Sequence, residues 1–391
     1  MSSHIPLIAG DIDRNFGFRG FVEGPENAVT HSVVSTANGM LIYAIHNDSH
    51  FEIYRVHPDG SPDTSFGEGG VFRWQFQEGR NSIPRRLILS GNNILVIGDI
   101  TFADEGIPAV TLLNENGTPN LAFGRVSLPL PAFSNNAYPS DGCIQLDRKI
   151  LILSQRTEDA GMSARNGQLT RLTTAGAIDK DFGEQGHIKI SYGEGYSNMH
   201  SVAVQPNGKI VVGGSYWLDI ERIVLSRYET TGSLDTSFGT DGYVYFDSQP
   251  GRYWLEQMIV QPDGKLVCAG FSNGKALIMR FDIDGAPDLT FNNGSEVLID
   301  LGHANGSWRT VTVQPDDGKI VAAGWTPGFP SQMAWGRLNA DGSLDSGFGN
   351  NGWIKGLLAG IPYDLTLQAN RIIIVGNRNN SGNAVLCGVQ R

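Results

Sequence analysis

The chain has 391 residues with 50 glycines and 18 prolines, yet 40% of its residues are hydrophobic. Such a chain is rich in turns but has enough apolar residues for a packed core, which excludes a disordered protein. Its net charge of −11, with no basic run denser than Arg85-Arg86, argues against nucleic acid as a partner, because a phosphate backbone requires many Lys and Arg contacts.

One phrase recurs along the whole chain and is clearest at residues 232–242, where it reads Gly-Ser-Leu-Asp-Thr-Ser-Phe-Gly-Thr-Asp-Gly. Successive copies are 50 to 59 residues apart, and the interval from the last copy through the two termini to the first is 59 residues. The array is therefore expected to close on itself as one domain over residues 1–391. The seven copies end in Phe16, Phe66, Phe123, Phe182, Phe238, Phe291 and Phe348.

Each repeat contains four short apolar segments, which we label strands A to D. In the fifth repeat they are predicted at residues 253–261, 265–271, 275–282 and 295–301. A tight-turn sequence, Gln-Pro-Asp-Gly-Lys, joins strand A to strand B. No segment has a sustained apolar period of 3.6 residues, so few helices are expected.

Four-stranded antiparallel units at this period are typical of β-propeller blades, and seven phrases predict an all-β, seven-bladed propeller. The C-terminus would supply strands A, B and C of the last blade at residues 363–368, 371–375 and 384–389. The N-terminus would supply the outer strand D at residues 20–23, so that the ring closes without unpaired strand edges. This arrangement places Val22 next to Leu386.

The repeated phrase, followed by a Gln-Pro-Asp-Gly-Lys turn and a Val-Val-Gly-Gly strand, resembles the delta-60 repeat, a bacterial β-propeller repeat of unknown function. The strand layout is also similar to that of NHL-type propellers. The resemblance covers essentially the whole chain, is strongest in the fourth to sixth repeats and is weaker in the second and third. It implies the fold and brings no catalytic residues.

A residue that recurs in every repeat usually serves the fold. We expect each phrase phenylalanine to fill the gap between two blades, since full burial of such a ring stabilises by roughly 2–3 kcal/mol. The glycine after it is expected to adopt a positive φ, and the aspartate before it to accept backbone N–H bonds in the turn. Asn292 replaces that glycine in one repeat.

The two faces of the ring differ when the repeats are compared with one another. The A–B turns and the phrases, on one face, barely vary, whereas the B–C and D–A loops on the other face differ in every repeat. Binding groups usually lie on variable loops, and each A strand begins at this variable face. The residues found there, five before the glutamine position, are His31, Pro84, Ser140, His200, Glu256, Arg309 and Tyr363.

Aromatic and charged residues lie beside this ring. Trp254 and Trp308 are its neighbours in the A strands. The predicted ligand-binding set is therefore His31, His200, Glu256, Arg309, Tyr363, Trp254 and Trp308, which suits a small polar ligand, a glycan or a protein partner. The B–C loops add His46, His50, Trp217, Trp325 and the acidic pair Glu158-Asp159. The alternative is that the aromatic rings cap blade edges and the charges are simply solvated.

One loop has the residue types of a metal site. His46-x-Asp48-x-His50, with His31 in the same repeat, offers four potential ligands for a divalent ion. The alternative is a solvated loop. Asp11-x-Asp13-x-Asn15 also looks like the start of a calcium loop, but an EF-hand would need Gly in place of Phe16 and Glu in place of Val22, so turn chemistry is favoured there. No cofactor is expected apart from the candidate divalent metal.

Three functions remain open. The favoured one is a non-enzymatic scaffold that binds a ligand or protein through the face formed by the D–A and B–C loops. The first alternative is a lyase or hydrolase with a polar or metal site at the channel mouth, built from His31, His200, Glu256 and Arg309. The second is a lectin-like propeller that uses its tryptophans against sugar rings.

The expected cellular location rests on the absence of signal-peptide and membrane-span patterns in the sequence. The first ten residues have neither a basic region nor a long apolar run, and no apolar stretch reaches the roughly 18 residues of a membrane span. Cys143, Cys268 and Cys387 lie in three different repeats, where buried reduced thiols are expected. We therefore expect a monomer that is cytoplasmic, or exported without an N-terminal signal peptide.

Overall fold

A computed structural model of the chain describes residues 8–102, 105–128, 140–157, 165–193, 195–247, 251–302, 306–378 and 382–391. Within these ranges the protein is all-β, and the one helical element is a 3₁₀ turn at Asn292–Gly294. No helix of the described ranges is long and apolar enough to cross a membrane.

The first strand, β1, stands apart from the sheet that follows it in sequence. It comprises Phe21–Glu23 and pairs with the last strand of the chain. The next strands form two four-stranded antiparallel sheets in simple sequence order. The strands of the first sheet are β2 (Val29–Ser35), β3 (Leu41–Asn47), β4 (His50–Val56) and β5 (Val71–Trp74). Those of the second sheet are β6 (Asn81–Ser90), β7 (Asn93–Phe102), β8 (Glu105–Leu113) and β9 (Arg125–Ser127).

Three further sheets repeat this plan. The third sheet contains β10 (Asp141–Ile144), β11 (Ile150–Thr157), β12 (Arg165–Leu172) and β13 (His187–Ile190). The fourth contains β14 (Tyr196–Val204), β15 (Ile210–Trp217), β16 (Glu221–Tyr228) and β17 (Tyr243–Phe246). The fifth contains β18 (Tyr253–Val260), β19 (Leu266–Ser272), β20 (Lys275–Phe281) and β21 (Val297–Ile299), each end within two residues of its prediction.

The remaining strands form one seven-stranded sheet in the order β1-β27-β26-β25-β24-β23-β22. Its strands besides β1 are β22 (Ser307–Val313), β23 (Ile320–Thr326), β24 (Gln332–Leu338), β25 (Trp353–Gln368), β26 (Arg371–Arg378) and β27 (Asn383–Gln390). The long strand β25 pairs with β24 through residues 353–359 and with β26 through residues 360–368. This one continuous strand therefore takes the place of two strands that are separate in the other repeats, namely strand D of one repeat and strand A of the next.

The two ends of the chain meet in this sheet. Strands β1 and β27 are antiparallel, with Phe21 opposite Cys387 and Val22 opposite Leu386. The predicted pairing of an N-terminal outer strand with three C-terminal strands is therefore present in this register. The three cysteines are free thiols.

The core consists of apolar clusters between successive sheets. In one of them Phe66, from the phrase of the first repeat, packs with Ile42 of the first sheet and Ile94 of the second. Another cluster joins the first sheet to the last strands, because Val33 and Leu41 share it with Ile373. Six of the phrase phenylalanines are fully buried and Phe123 is 7% exposed, as expected for rings that fill the gaps between sheets.

The phrase holds neighbouring sheets together through one arginine contact. Arg227 of β16 donates from Nε to Asp235 Oδ2 at 2.5 Å and lies 4.7 Å over the ring of Phe238. Its Nη1 atom donates to the carbonyl of Ile283 in the next sheet. Asp235 also accepts the backbone N–H of Ser237, which confirms the predicted turn bond. The arginine–aspartate bond and the contact with the phrase phenylalanine recur at Arg55, Arg171, Arg280 and Arg337.

Candidate ligand-binding cavity

The first strand of nearly every repeat carries a β-bulge at the same place. In β2 the register shifts between Thr30 and Ser32, and β6, β14, β18, β22 and β25 shift at the equivalent point. A bulge inserts one unpaired residue and re-aims its side chain. The bulged residues are His31, Arg85, His200, Glu256, Arg309 and Tyr363.

The predicted ring agrees with these positions except in the second repeat. Pro84 was expected there, but it pairs with Gly98 in the ladder and is buried, and Arg85 is the bulged residue. In this repeat the ring residue lies five residues before Ser90 and not five before Leu89. The reason is that a two-residue turn between Ser90 and Asn93 closes the A–B hairpin. In the third repeat, Ser140 directly precedes β10 and donates from Oγ to Asp99 Oδ1 at 2.6 Å.

All six bulged residues line one cavity of about 620 Å³. A volume of this size is typical of sites for small molecules. Trp254 and Trp325 also line it, as does Ser140. Five of the predicted ligand-binding positions in the ring, His31, His200, Glu256, Arg309 and Tyr363, are therefore brought together.

Trp308 is the predicted ligand-binding residue that does not reach the cavity. Its side chain is fully buried and packs with Ile278 and Val311 in the core between the fifth sheet and the next. The cause is strand alternation, since the residue before the bulge points into the blade while the bulged Arg309 points out of it. Trp308 is consequently part of the core.

Of the predicted metal ligands His31, His46, Asp48 and His50, the structure brings only His31 and His46 close together, with ring centroids 6.4 Å apart. His46 Nε2 lies 2.8 Å from Asn81 Oδ1, and His50 Nε2 lies 3.2 Å from Glu52 Oε1. In the β3–β4 hairpin His50 is opposite Asn47, so strand alternation places His46 and His50 on different faces, while Asp48 is an exposed turn residue. The described residues hold no group of three or more His, Cys, Asp or Glu side chains arranged for a metal ion.

The other loop residues singled out from the sequence have different surroundings. Trp217 is half exposed and stacks on Tyr196 with ring centroids 5.4 Å apart. Glu158 and Asp159 lie outside the described residues.

Sequence reasoning missed several charged residues of the cavity wall. Arg86, Asp141 and Arg252 line it together with Arg85. The Arg85-Arg86 pair is visible in the sequence as its densest positive run, and this was the available signal. Its contribution to the cavity depends on the bulge, which the residue pattern does not reveal.

The cavity contains four arginines, of which three have a carboxylate partner. Arg85 Nε donates to Asp99 Oδ2 at 2.7 Å, Arg252 Nε lies 2.9 Å from Glu221 Oε2, and Arg86 Nε lies 3.7 Å from Asp141 Oδ1. Arg309 instead lies 4.6 Å over the ring of Tyr363. Throughout the described ranges, no carboxylate lies within salt-bridge distance of Arg309.

Burial changes the protonation of the ring residues. It raises the pKa of Glu256 to about 7, against the opposing effect of the Arg309 charge. It lowers the pKa of His200 to about 3, and Arg309 lowers it further. The pKa of His31 is well below its usual value because of burial and the charges of Arg85, His46 and Arg309. At neutral pH both histidines are therefore uncharged, and Glu256 is near the midpoint of its titration.

Several polar groups of the ring have no protein partner. Within the described residues, the His31 imidazole, the Glu256 carboxyl and the Tyr363 hydroxyl make no hydrogen bond. The His31 ring contacts other rings only, with its centroid 5.6 Å from that of Tyr363. Polar groups inside proteins are normally hydrogen-bonded, so these groups have bonding capacity left for water or a ligand.

Repeated four-stranded antiparallel sheets, packed side by side with their first strands around a cavity, define a β-propeller. Three segments, residues 43–66, 205–238 and 261–291, match the model of the family described as a domain of unknown function (DUF5122) beta-propeller. The resemblance to a propeller repeat family of unknown function is thereby confirmed. No curated protein sequence matches the chain.

Solved structures share the fold across almost the whole chain. A catalytically inactive virginiamycin B lyase from Staphylococcus aureus, solved with quinupristin, superposes with a TM-score of 0.54 and 11% identity over 94% of this chain and 99% of that chain. The polysaccharide lyase Uly1 superposes with a TM-score of 0.51 and 9% identity over 97% of this chain and 92% of that chain. At such low identity the likeness shows the fold alone.

Proposed function

We propose that the chain is a single, closed, seven-bladed propeller over residues 1–391 and that it binds a small polar ligand in its central cavity without catalysing a reaction. The ligand would enter through the face formed by the D–A and B–C loops. A glycan, or a peptide of a protein partner, is the larger occupant that the same face would accommodate.

The blade count is supported by the double pairing of β25. Five four-stranded sheets account for five blades, and the seven-stranded sheet divides at β25 into two more. Closure is supported by contacts between the last unit and the first, since Ser32 Oγ donates to Asp364 Oδ2 at 2.7 Å and the Val33 amide donates to the same atom. The pairing of β1 with β27 covers strand edges that an open array would leave unpaired, and this also supports a monomer.

The observation that carries the binding function is the set of unpaired ring groups. The His31 imidazole, the Glu256 carboxyl and the Arg309 guanidinium come from three different blades and line the same cavity. None of them has a hydrogen-bond or ion-pair partner in the described part of the chain. Keeping such groups unpaired inside a rigid ring costs stability, which is compensated if a ligand pairs with them.

A steric block tests this function. Ligand-observed NMR with a panel of neutral monosaccharides, amides, amino acids and monocarboxylates should find binders to the unaltered protein. His31→Trp should weaken their binding at least tenfold, because the larger ring at the bulge occupies part of the cavity beside Tyr363. His57→Trp is the matched control, since His57 is exposed in a C–D turn on the opposite face, and it should bind normally. If no panel member binds, or if His31→Trp binds as well as the parent protein, the proposal is wrong.

A lyase or hydrolase is the second candidate, and one observation favours it. A carboxyl group with a pKa of about 7 shares the cavity with an uncharged imidazole at His200, which is a combination suited to proton transfer. Two solved structures that share the fold are lyases by name. Their sequence identity to this chain is so low that it shows the fold and nothing more. Incubation with uronate polysaccharides and with quinupristin, followed by mass spectrometry, tests this candidate. Turnover that Glu256→Gln lowers at least a hundredfold would support catalysis, and the absence of any product would reject it.

A lectin-like role now depends on Trp254. This side chain lines the cavity and lies edge-on to His200, with ring centroids 4.6 Å apart, whereas Trp308 is buried. Binding of a neutral glycan that is lost in Trp254→Ala would favour this role over recognition of a smaller molecule.

A further inference from the structure

Among the described residues that line the cavity, three of the four arginines have a carboxylate partner and one does not. Arg85, Arg86 and Arg252 each have a carboxylate partner supplied by the protein, at 2.7, 3.7 and 2.9 Å. Arg309 is half-buried and has none in the described ranges. A guanidinium that is partly removed from water without a counter-charge is costly, and an anionic ligand would remove that cost.

Arg309 also has a central position. Its charge lowers the pKa values of His31, His200 and Glu256, which belong to three other blades. Its guanidinium is held over the ring of Tyr363, and this contact fixes its position in the cavity. A group that influences residues on several sides of the ring is well placed to meet a ligand anywhere near the axis.

Apart from Glu256, the acidic groups that face this region within the described residues have partners in the protein. Asp364 accepts hydrogen bonds from Ser32 Oγ and the Val33 amide, and Asp141 accepts the Val202 amide. His31 and His200 are uncharged near neutral pH for the reasons given above. Glu256 is the remaining acidic group, and its carboxyl has no partner within the described residues.

We propose, on the basis of the proposed ligand-binding function, that the cavity recognises a small organic carboxylate. Arg309 forms an ion pair with the ligand carboxylate, and Glu256 in its protonated form donates a hydrogen bond to it. A single unpaired guanidinium matches a monoanion better than a dianion such as sulfate. The aromatic side chains Trp254, Phe271, Trp325 and Tyr363 in the wall favour a planar body on the ligand.

The same arrangement makes binding depend on pH. Below about pH 7 Glu256 is neutral and its O–H is available to the ligand carboxylate. Above this pH it is ionised, and two carboxylates then face each other across a short distance. The affinity for a carboxylate should therefore fall as the pH rises from 6 to 8. His200 does not contribute to this change, because burial lowers its pKa to about 3, and burial lowers the pKa of His31 as well.

The test uses benzoate as the probe, benzamide as its neutral analogue and inorganic sulfate as the dianion. Isothermal titration calorimetry of the full chain at pH 6 should show benzoate binding at least tenfold more tightly than either of the others. Arg309→Gln should weaken benzoate binding at least tenfold, and Arg309→Lys should restore part of it. Arg14→Gln is the control, because Arg14 is exposed and does not line the cavity, and it should change the affinity by less than about twofold.

Binding measurements at two pH values distinguish the contribution of Glu256 from that of Arg309. Benzoate affinity of the unaltered protein should fall about five- to tenfold between pH 6 and pH 8, and Glu256→Gln should remove this dependence. Equal affinity for benzoate and benzamide, unchanged binding by Arg309→Gln, or a pH dependence that persists in Glu256→Gln would each overturn the proposal. If neutral compounds bind and His31→Trp weakens their binding while benzoate does not bind, recognition of carboxylates is wrong but the cavity remains a binding site.

Discussion

Glu256 shows at the residue scale how position changes chemistry. A glutamate on an exposed strand is ionised at neutral pH, but the bulge in β18 turns this one into the cavity, where burial raises its pKa to about 7. The folded protein therefore holds a proton between about pH 4.5 and 7 that the unfolded chain has released. By proton linkage, this residue makes the folded state less stable as the pH rises through that interval.

Glu256→Gln tests this linkage. The variant should be more stable than the parent protein at pH 8, by on the order of 1 kcal/mol once the solvent on the cavity side is allowed for, and nearly equal to it at pH 5. Urea unfolding at the two pH values measures the difference, and the titration of other groups cancels because they are common to both proteins. Glu184→Gln, at an exposed glutamate, is the control and should show the same small difference at both pH values. If Glu256→Gln raises the free energy of unfolding as much at pH 5 as at pH 8, the linkage is wrong.

At the scale of the element, the phrase is a turn that two sheets share. Gly239 has a φ of 55°, and its amide donates to the carbonyl of Asp284 in the next sheet at 2.9 Å. Asn292 occupies the same place in its repeat, with a φ of 45° and an amide bond to Asp341. The replacement of the phrase glycine by Asn292 therefore preserves the backbone conformation, since asparagine tolerates the left-handed region better than most residues. The predicted positive φ after the phrase phenylalanine is confirmed.

Gly239→Ala should be strongly destabilising. An added Cβ would lie 2.2 Å from the carbonyl oxygen of Tyr243, so the cost combines a left-handed backbone with a clash, and we expect at least about 3 kcal/mol in urea unfolding.

Gly69→Ala separates the two contributions. Gly69 has a φ of 66°, but its added Cβ would meet no atom within 4 Å, so only the conformational cost of roughly 1–2 kcal/mol should appear. Equal destabilisation by the two substitutions would show that the close approach to Tyr243 is unimportant.

At the scale of the whole molecule, the pairing of β1 with β27 joins residues that are more than 350 positions apart. Phe21 lies opposite the native Cys387, and both side chains belong to the cluster that contains Val389. Val22, one residue later, points the other way and belongs to the cluster around Phe16. The contact therefore has a defined register as well as a defined neighbour.

Phe21→Cys uses this register to test closure. The new thiol is directly across the ladder from Cys387, at a separation that disulfides accept, so mild oxidation should cross-link the two termini. Because the bridged loop is very long, the oxidised variant should be more stable than its reduced form by roughly 3–5 kcal/mol, measured by urea unfolding with and without reductant.

Val22→Cys is the matched control for this cross-link. Its thiol would lie on the opposite side of the ladder from Cys387, and no bridge should form. Closure in this register would be wrong if both variants cross-link to the same extent, or if neither does.

The sequence by itself determined the features that are local or periodic. Strand positions, the buried phrase phenylalanines, the aspartate turns and the pairing of Val22 with Leu386 follow from apolar alternation, turn chemistry and a repeat length, all of which act within one unit or between identical units. Five members of the ring were also predictable, because the distance from the A–B turn to the bulge is constant in those repeats.

Only the tertiary structure decided which of these groups are available to a ligand. Arg85 is matched by Asp99 on the neighbouring strand, whereas Arg309 has no such partner in the described ranges, and Trp308 is turned into the core by strand alternation. Charge matching and burial depend on contacts between strands and between blades, and the residues that make these contacts differ from blade to blade. A repeat pattern describes the residues that the blades share, whereas the cavity is lined by residues that differ from blade to blade.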